Sequence, residues 1–163
     1  MKIINNCLNE EEFINLKKLM MSNLFPWFIR WGVSYDTDNN YQFTHNFYHN
    51  YGASSHYFDL LKPILFVLNP VSIIRIKANL LVREDKIIKH GFHVDTYEKN
   101  AKTAVFYVNN NNGFTEFEDG TISKSEENKL IIFDSYKKHT GTTCTDDFFR
   151  IVINFNYFEN EAK

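Results

Sequence analysis

Residues His93, Val94 and Asp95 set an imidazole and a carboxylate two positions apart. On an extended backbone, residues i and i+2 project from the same face, so both side chains can reach one metal ion from one side. A third ligand must come from elsewhere in the chain. His139, 44 residues beyond Asp95 and just past the apolar run Leu130 to Asp134, is the candidate. Two imidazoles and one carboxylate on one face of a metal leave positions open, which suits a non-haem Fe(II) that must admit a co-substrate and O2. Zinc takes the same ligands, but a catalytic zinc site needs a general base beside its bound water, and no residue is placed for that role. Ligand type alone does not separate the two metals.

Arg150 separates them. It lies eleven residues after His139, among Phe148, Phe149, Ile151, Val152 and Ile153. A charge in so apolar a run is costly to bury unless a partner meets it. A guanidinium is a rigid fork matched to a carboxylate. A dicarboxylic keto acid fits this arrangement, with its oxo-acid end on the metal and its far carboxylate on the arginine.

The elements that must position these residues are legible in outline. Asn9 and Glu12 form a capping-box pattern ahead of Phe13, Leu16, Leu19 and Met20, which recur at helical spacing up to a stop before Pro26. Trp27 to Tyr35 and Gln42 to Tyr51 read as aromatic-rich strands around a turn at Asp36 to Asn40. A second helix, capped by Ser54 or Ser55, runs through Phe58, Leu61 and Leu65, with Pro63 beginning or kinking its second half and Pro70 closing it. The period then changes to two. Strands are expected at Val71 to Val82, Ile87 to Val94, Thr103 to Val108, Phe114 to Glu118, Thr121 to Lys124, Leu130 to Asp134 and Arg150 to Phe158, with Asn112-Gly113 and Asp119-Gly120 as tight-turn signals. Two helices followed by about eight strands point to helices packed outside a sandwich or barrel.

Composition removes several classes. The 163 residues fit one domain, and 44% hydrophobic with 23% charged residues is ordinary for a globular chain. A net charge of -2 argues against wholesale nucleic-acid binding. No apolar run approaches a membrane span and the first residues carry no signal pattern. Cys7 and Cys144 are too few for a disulfide framework and read as small buried hydrophobes, which fits a reducing, cytoplasmic compartment.

The combination His93-x-Asp95, His139 and Arg150 resembles the motif of 2-oxoglutarate- and Fe(II)-dependent oxygenases, and its flanks resemble the prolyl-4-hydroxylase-like branch. Thr103 to Asn109 is similar to that branch's Tyr-Leu-Asn strand. Asn112-Gly113-Phe114-Thr115-Glu116-Phe117 is similar to its Gly-Gly-x-Thr-x-Phe hairpin, with Asn112 in place of the first glycine. Leu130 to Asp134 with His139-Thr140-Gly141 is similar to the strand and loop of its second histidine. The match covers roughly residues 71 to 158. The layout, including Arg75 to Leu80, resembles compact members from phages and marine bacteria.

The resemblance implies a mainly β chain with supporting helices (α+β): a double-stranded β-helix, or distorted jelly roll, with N-terminal helices packed outside. It implies a single domain over 1–163, with helical and aromatic-strand support at 1–70 and the jelly-roll core at 71–158. His93, Asp95 and His139 become the iron ligands, and Arg150 the anchor of 2-oxoglutarate. Tyr107 matches a tyrosine that helps hold the same carboxylate, and Asn79 lies on a strand that supplies a polar contact to the co-substrate. The implied cofactors are Fe(II), 2-oxoglutarate and O2, with ascorbate as an auxiliary. The implied reaction is hydroxylation of a C–H bond on a protein or peptide such as one containing proline. Free amino acids and nucleobases are alternatives, and the compartment is the cytoplasm, or a host's cytoplasm for a phage protein. Two competing readings are a non-catalytic jelly roll that binds a metal or ligand, and a zinc hydrolase. His90 is expected on the opposite face from His93, exposed. His45 and Tyr48 are expected to pack rather than line the substrate mouth, and Trp27 and Trp31 to be core or rim aromatics.

Overall fold

The computed structural model describes residues 1–35 and 37–160. The expected turn at Asp36 to Asn40 begins outside the described residues. Within it, the Asp38 carboxylate accepts hydrogen bonds from the backbone N–H groups of Val33, Ser34, Tyr35 and Asn40.

Helix α1 (Glu10–Met20) starts where the capping pattern places it, with the Asn9 side chain accepting the Glu12 N–H at 2.9 Å. Glu10, Glu11 and Glu12 meet the positive end of its dipole. A 3-10 turn (Phe58–Leu61) leads into α2 (Lys62–Leu68), with Pro63 in the first turn, where no hydrogen bond is lost. The helix ends just before Pro70, as expected: Asn69 caps it in the left-handed region, with φ of 46°, and Pro70 opens the next strand.

Among the described residues eleven strands are formed: β1 (Lys2–Ile4), β2 (Phe28–Trp31), β3 (Tyr41–His49), β4 (Gly52–Ala53), β5 (Pro70–Val82), β6 (Ala101–Tyr107), β7 (Phe114–Phe117), β8 (Ile122–Lys124), β9 (Lys129–Asp134), β10 (His139–Gly141) and β11 (Phe149–Glu159). The larger sheet runs β1-β9-β6-β11-β5-β3-β2, with β4 on β3; the smaller runs β10-β7-β8. All pairings are antiparallel. The two sheets with outer helices form a jelly roll. Strands from the first seventy residues extend the larger sheet as well as supporting it. Among the described residues no helix is long and apolar enough to cross a membrane.

Alternation along the central strands divides the interior in two. Ile76, Ala78 and Leu80 of β5, Ala104 and Phe106 of β6, and Ile151, Ile153 and Phe155 of β11 meet Leu16, Met20, Ile64 and Leu68 of the helices in one core. Each fully buried side chain of this kind contributes roughly 1.5–3 kcal/mol. Val105, Tyr107, Ile131, Phe133 and Val152 point the other way, toward Phe117 of the smaller sheet. Lys77, Asn79, Arg150 and Asn154 share that second face, which therefore carries charge inside the roll.

Residues 87–94 do not form the expected strand. They follow β10 but bridge it only at Lys89–Thr142 and His93–His139. Four steps along this segment oppose three along its partner, so one extra residue breaks the ladder. His90, expected to be exposed, is instead only 9% exposed, and it donates its backbone N–H to Gly141 O. Asn112-Gly113 likewise does not close a hairpin. It carries the chain from β6 of the larger sheet to β7 of the smaller, and Asn112 is tied to Thr145 and Asp146. The Asp119-Gly120 turn is as expected, with φ of +83° at the glycine. Cys144 is buried and Cys7 half-buried; both are free thiols, and burial with nearby Glu12 pushes Cys7 up to about 11.

Candidate active site

His93 and His139 exchange both backbone hydrogen bonds, each 3.0 Å. Such a pair holds its two side chains side by side on one face, and the imidazole centroids are 4.8 Å apart. His93 Nδ1 lies 3.2 Å from Gly91 O, and His139 Nδ1 lies 3.0 Å from Lys137 O. A carbonyl only accepts, so each Nδ1 carries the hydrogen and each Nε2 presents a lone pair. Asp95 completes the group: its carboxylate oxygens lie 3.8 Å from each Nε2. The three ligand atoms fall within 4.8 Å of one another, a group suited to a metal ion.

The supporting contacts fix the charge states a metal needs. Burial, then the neighbouring His139, hold His93 below its ordinary pKa, so the ring is neutral. Burial pushes Asp95 up, but His139, Arg75, His93 and a hydrogen bond from Asn156 outweigh it and the carboxyl stays below its usual range. Asn156 Nδ2 donates to Asp95 Oδ2 at 3.0 Å and to Thr103 Oγ1 at 3.1 Å, and its Oδ1 accepts from Arg75 Nε and Nη2. Asn156 therefore orients the carboxylate and ties it to the sheet.

Arg150 lies at the other end of the same cleft, 3% exposed. Its Nε donates to Ser125 Oγ at 2.9 Å and its Nη2 to Thr115 Oγ1 at 3.1 Å. Among the described residues no carboxylate pairs with it, and burial lowers its pKa. Two glycines make room: a Cβ at Gly113 would meet Arg150 Cδ at 2.6 Å, and one at Gly141 would meet Nη1 at 3.3 Å. Tyr107 is fully buried behind this group. Its hydroxyl donates to Thr115 Oγ1 at 2.9 Å, and the residue does not line the cleft. Thr115 Oγ1 thus accepts from Tyr107 and Arg150, which leaves its own hydrogen to donate.

The cleft is narrow and opens to solvent at its mouth. Between the triad and Arg150 it is lined by Lys77 and Asn79 from β5 and by Val152 and Asn154 from β11, with Gln42 and Val33 at one side. Asn79 Oδ1 and Asn154 Oδ1 are buried without a hydrogen-bond partner, groups that a polar ligand satisfies. Burial, then Arg75 and Arg30, depress Lys77 to about 7.

The structure brings His93, Asp95, His139, Asn79 and Arg150 to one cavity, and sets Tyr107 one hydrogen bond away. His45 is structural: Nδ1 meets Pro26 O at 2.8 Å and Nε2 meets Ser55 Oγ at 2.7 Å. Tyr48 packs on Phe58, Trp27 packs at the edge of the helix-side core, and Trp31 is largely exposed. Sequence reading missed Lys77, Thr115, Asn154 and Asn156. Alternation alone reaches three of them, since Lys77 is two residues from Asn79, and Asn154 and Asn156 are four and six from Arg150.

No family model matches the sequence. No curated protein matches it. Solved structures do. An oxidoreductase of the 2OG-Fe(II) oxygenase family from Burkholderia pseudomallei is similar with a TM-score of 0.66 and 10% identity, over 98% of this chain and 86% of that one. A prolyl hydroxylase from Trichoplax adhaerens, solved with a hypoxia inducible factor peptide, gives 0.66 and 11%, over 97% and 83%. The α-ketoglutarate-dependent epimerase SnoN of nogalamycin biosynthesis gives 0.68 and 11%, over 96% and 76%. The resemblance read from the sequence holds at the level of architecture: the chain has the jelly-roll fold of the 2-oxoglutarate- and Fe(II)-dependent oxygenases.

Proposed function

We propose that the protein is an Fe(II)- and 2-oxoglutarate-dependent dioxygenase, acting as one domain over 1–163, that hydroxylates a C–H bond. The observation that carries this reading is the pairing, within one cleft, of the His93, Asp95 and His139 group with a buried arginine that has no acidic partner. The donor set fits iron: two imidazoles and a carboxylate on one side leave the opposite side open. Iron bound there supplies the redox chemistry that couples decarboxylation of 2-oxoglutarate to transfer of an oxygen atom from O2.

The residues of the chain bind and orient. His93 and His139 hold their lone pairs inward through the Gly91 and Lys137 carbonyls. Asn156 aims the Asp95 carboxylate. Arg150 and the Thr115 hydroxyl receive the far carboxylate of 2-oxoglutarate, with Tyr107 fixing Thr115 from behind. Asn79 and Asn154 offer polar contacts between the two ends. Val105 and Val152 present apolar surface to the cleft, which strengthens each polar contact made there.

The fold neighbours include prolyl hydroxylases and an epimerase, so architecture alone does not choose the substrate. Proline-containing peptides are the first substrates to try, because some neighbours act on them. The test is succinate formation from 2-oxoglutarate in air with Fe(II), ascorbate and purified protein. Succinate formed by the wild type and abolished in His139→Ala supports the reading. Folded, iron-loaded protein that forms none opposes it.

A further inference from the structure

Lys77 is the cation that this reading leaves without a counter-charge. It projects from β5 into the cleft of the triad, opposite Asn154 of β11. Among the described residues no hydrogen bond or ion pair is found for its ammonium. Arg75 and Arg30 add positive potential around it, and Asp95 is the acid that opposes them. A divalent iron and the Arg150 guanidinium would stand against the Asp95 carboxylate and the two carboxylates of 2-oxoglutarate, and Arg75, 3.7 Å from Asp95, adds a further positive charge. An ammonium held in a half-enclosed site among cations is unfavourable until an anion meets it.

In the oxygenase reading one carboxylate of 2-oxoglutarate belongs with Arg150 and Thr115 and the other is committed to the metal, so neither is wholly free for Lys77. Lys77 lies one residue pair nearer the Asn156 end of the sheet than Asn79, toward the side that holds Asp95. A group met by Lys77 therefore sits beside the metal rather than at the deep end of the cleft.

We propose that Lys77 receives a carboxylate of the primary substrate, so that the protein acts on an acid whose C–H bond is set beside the metal by this ion pair. The proposal rests on the oxygenase reading and adds the substrate class. The carboxylate belongs either to a free amino acid or to an acidic residue of a peptide, two sources of the same chemistry.

The test is anaerobic calorimetry on protein loaded with Fe(II) and 2-oxoglutarate. One probe pair is L-proline and L-prolinamide; the other is the capped dipeptides acetyl-Pro-Glu-amide and acetyl-Pro-Gln-amide. Lys77→Met and Lys77→Arg run beside the wild type, and the visible iron-to-keto-acid band of each protein is titrated with 2-oxoglutarate. The expected result is an acid bound at least ~10-fold tighter than its amide in one pair, lost in Lys77→Met and kept in Lys77→Arg. The 2-oxoglutarate requirement of Lys77→Met stays within about twofold of wild type, whereas Arg150→Met raises it. Preference in the first pair assigns a free amino acid, and in the second an acidic peptide. Equal binding of acids and amides, binding in neither pair, or a raised 2-oxoglutarate requirement in Lys77→Met overturns the proposal. Absence of the visible band in the wild type strikes the oxygenase reading itself, a separate failure.

Discussion

His93 and His139 form a reciprocal backbone pair, and this pair places their two Nε2 atoms 3.8 Å from the two oxygens of Asp95. The backbone of one interrupted segment and one short strand thus sets the spacing of the metal ligands.

Metal binding should stabilise the fold through this group. A metal present at 100 times its Kd adds about 2.7 kcal/mol. Anaerobic thermal unfolding with and without Fe(II) is expected to show a higher Tm with metal in the wild type. The shift should vanish in His93→Ala, whose Nε2 is gone while the backbone pair remains.

Asn156→Ala should weaken the metal site without touching a ligand. The substitution removes the hydrogen bond to Asp95 Oδ2 and the acceptor of the Arg75 guanidinium. Losing such an orienting partner typically lowers metal affinity ~10–100-fold. A competition titration against a chelator measures it, and unchanged affinity would mean that Arg75 and the fold alone aim the carboxylate.

Thr115→Val should cost more 2-oxoglutarate affinity than Tyr107→Phe. Thr115 offers its hydroxyl hydrogen to the cleft, whereas Tyr107 acts only through Thr115. A lost hydrogen bond to a charged group is worth roughly 1.5–3 kcal/mol, or about 10–150-fold. A smaller effect is expected for Tyr107→Phe. The reverse order would place the tyrosine hydroxyl on the co-substrate.

Lys77→Met should stabilise the metal-free protein. The folded pKa of Lys77 lies at about 7, below its ordinary value of 10.5, chiefly through burial. Below both values the folded state carries an unfavourable charge. As pH rises from 7 toward 10.5, the folded state binds fewer protons than the unfolded state, so stability rises. Discounted for partial exposure, the gain between pH 7 and 9.5 is on the order of 2 kcal/mol. Urea unfolding at both pH values should show this rise in the wild type and not in Lys77→Met.

Much of this fold is legible because β5, β6 and β11 are rich in β-branched and aromatic residues, which mark them as strands even where register shifts interrupt β11 after Asn156. The site residues His93, Asp95, His139 and Arg150 are legible because a short motif fixes their chemistry. What the sequence hides is register. Thr115 and Asn156 acquire their roles only when β7 lies against β10 and β11 against β6, and those pairings join residues far apart in the chain. Residues 87–94 mislead because their composition is strand-like while one extra residue breaks the ladder.

The most direct measurement is an anaerobic titration of the purified protein with Fe(II) and 2-oxoglutarate, followed through the visible iron-to-keto-acid charge-transfer band. The expected result is a band in the wild type, absent in His93→Ala and needing at least ~10-fold more 2-oxoglutarate in Arg150→Met. Folded, iron-loaded wild type with no band at saturating 2-oxoglutarate would contradict the assignment of this cleft.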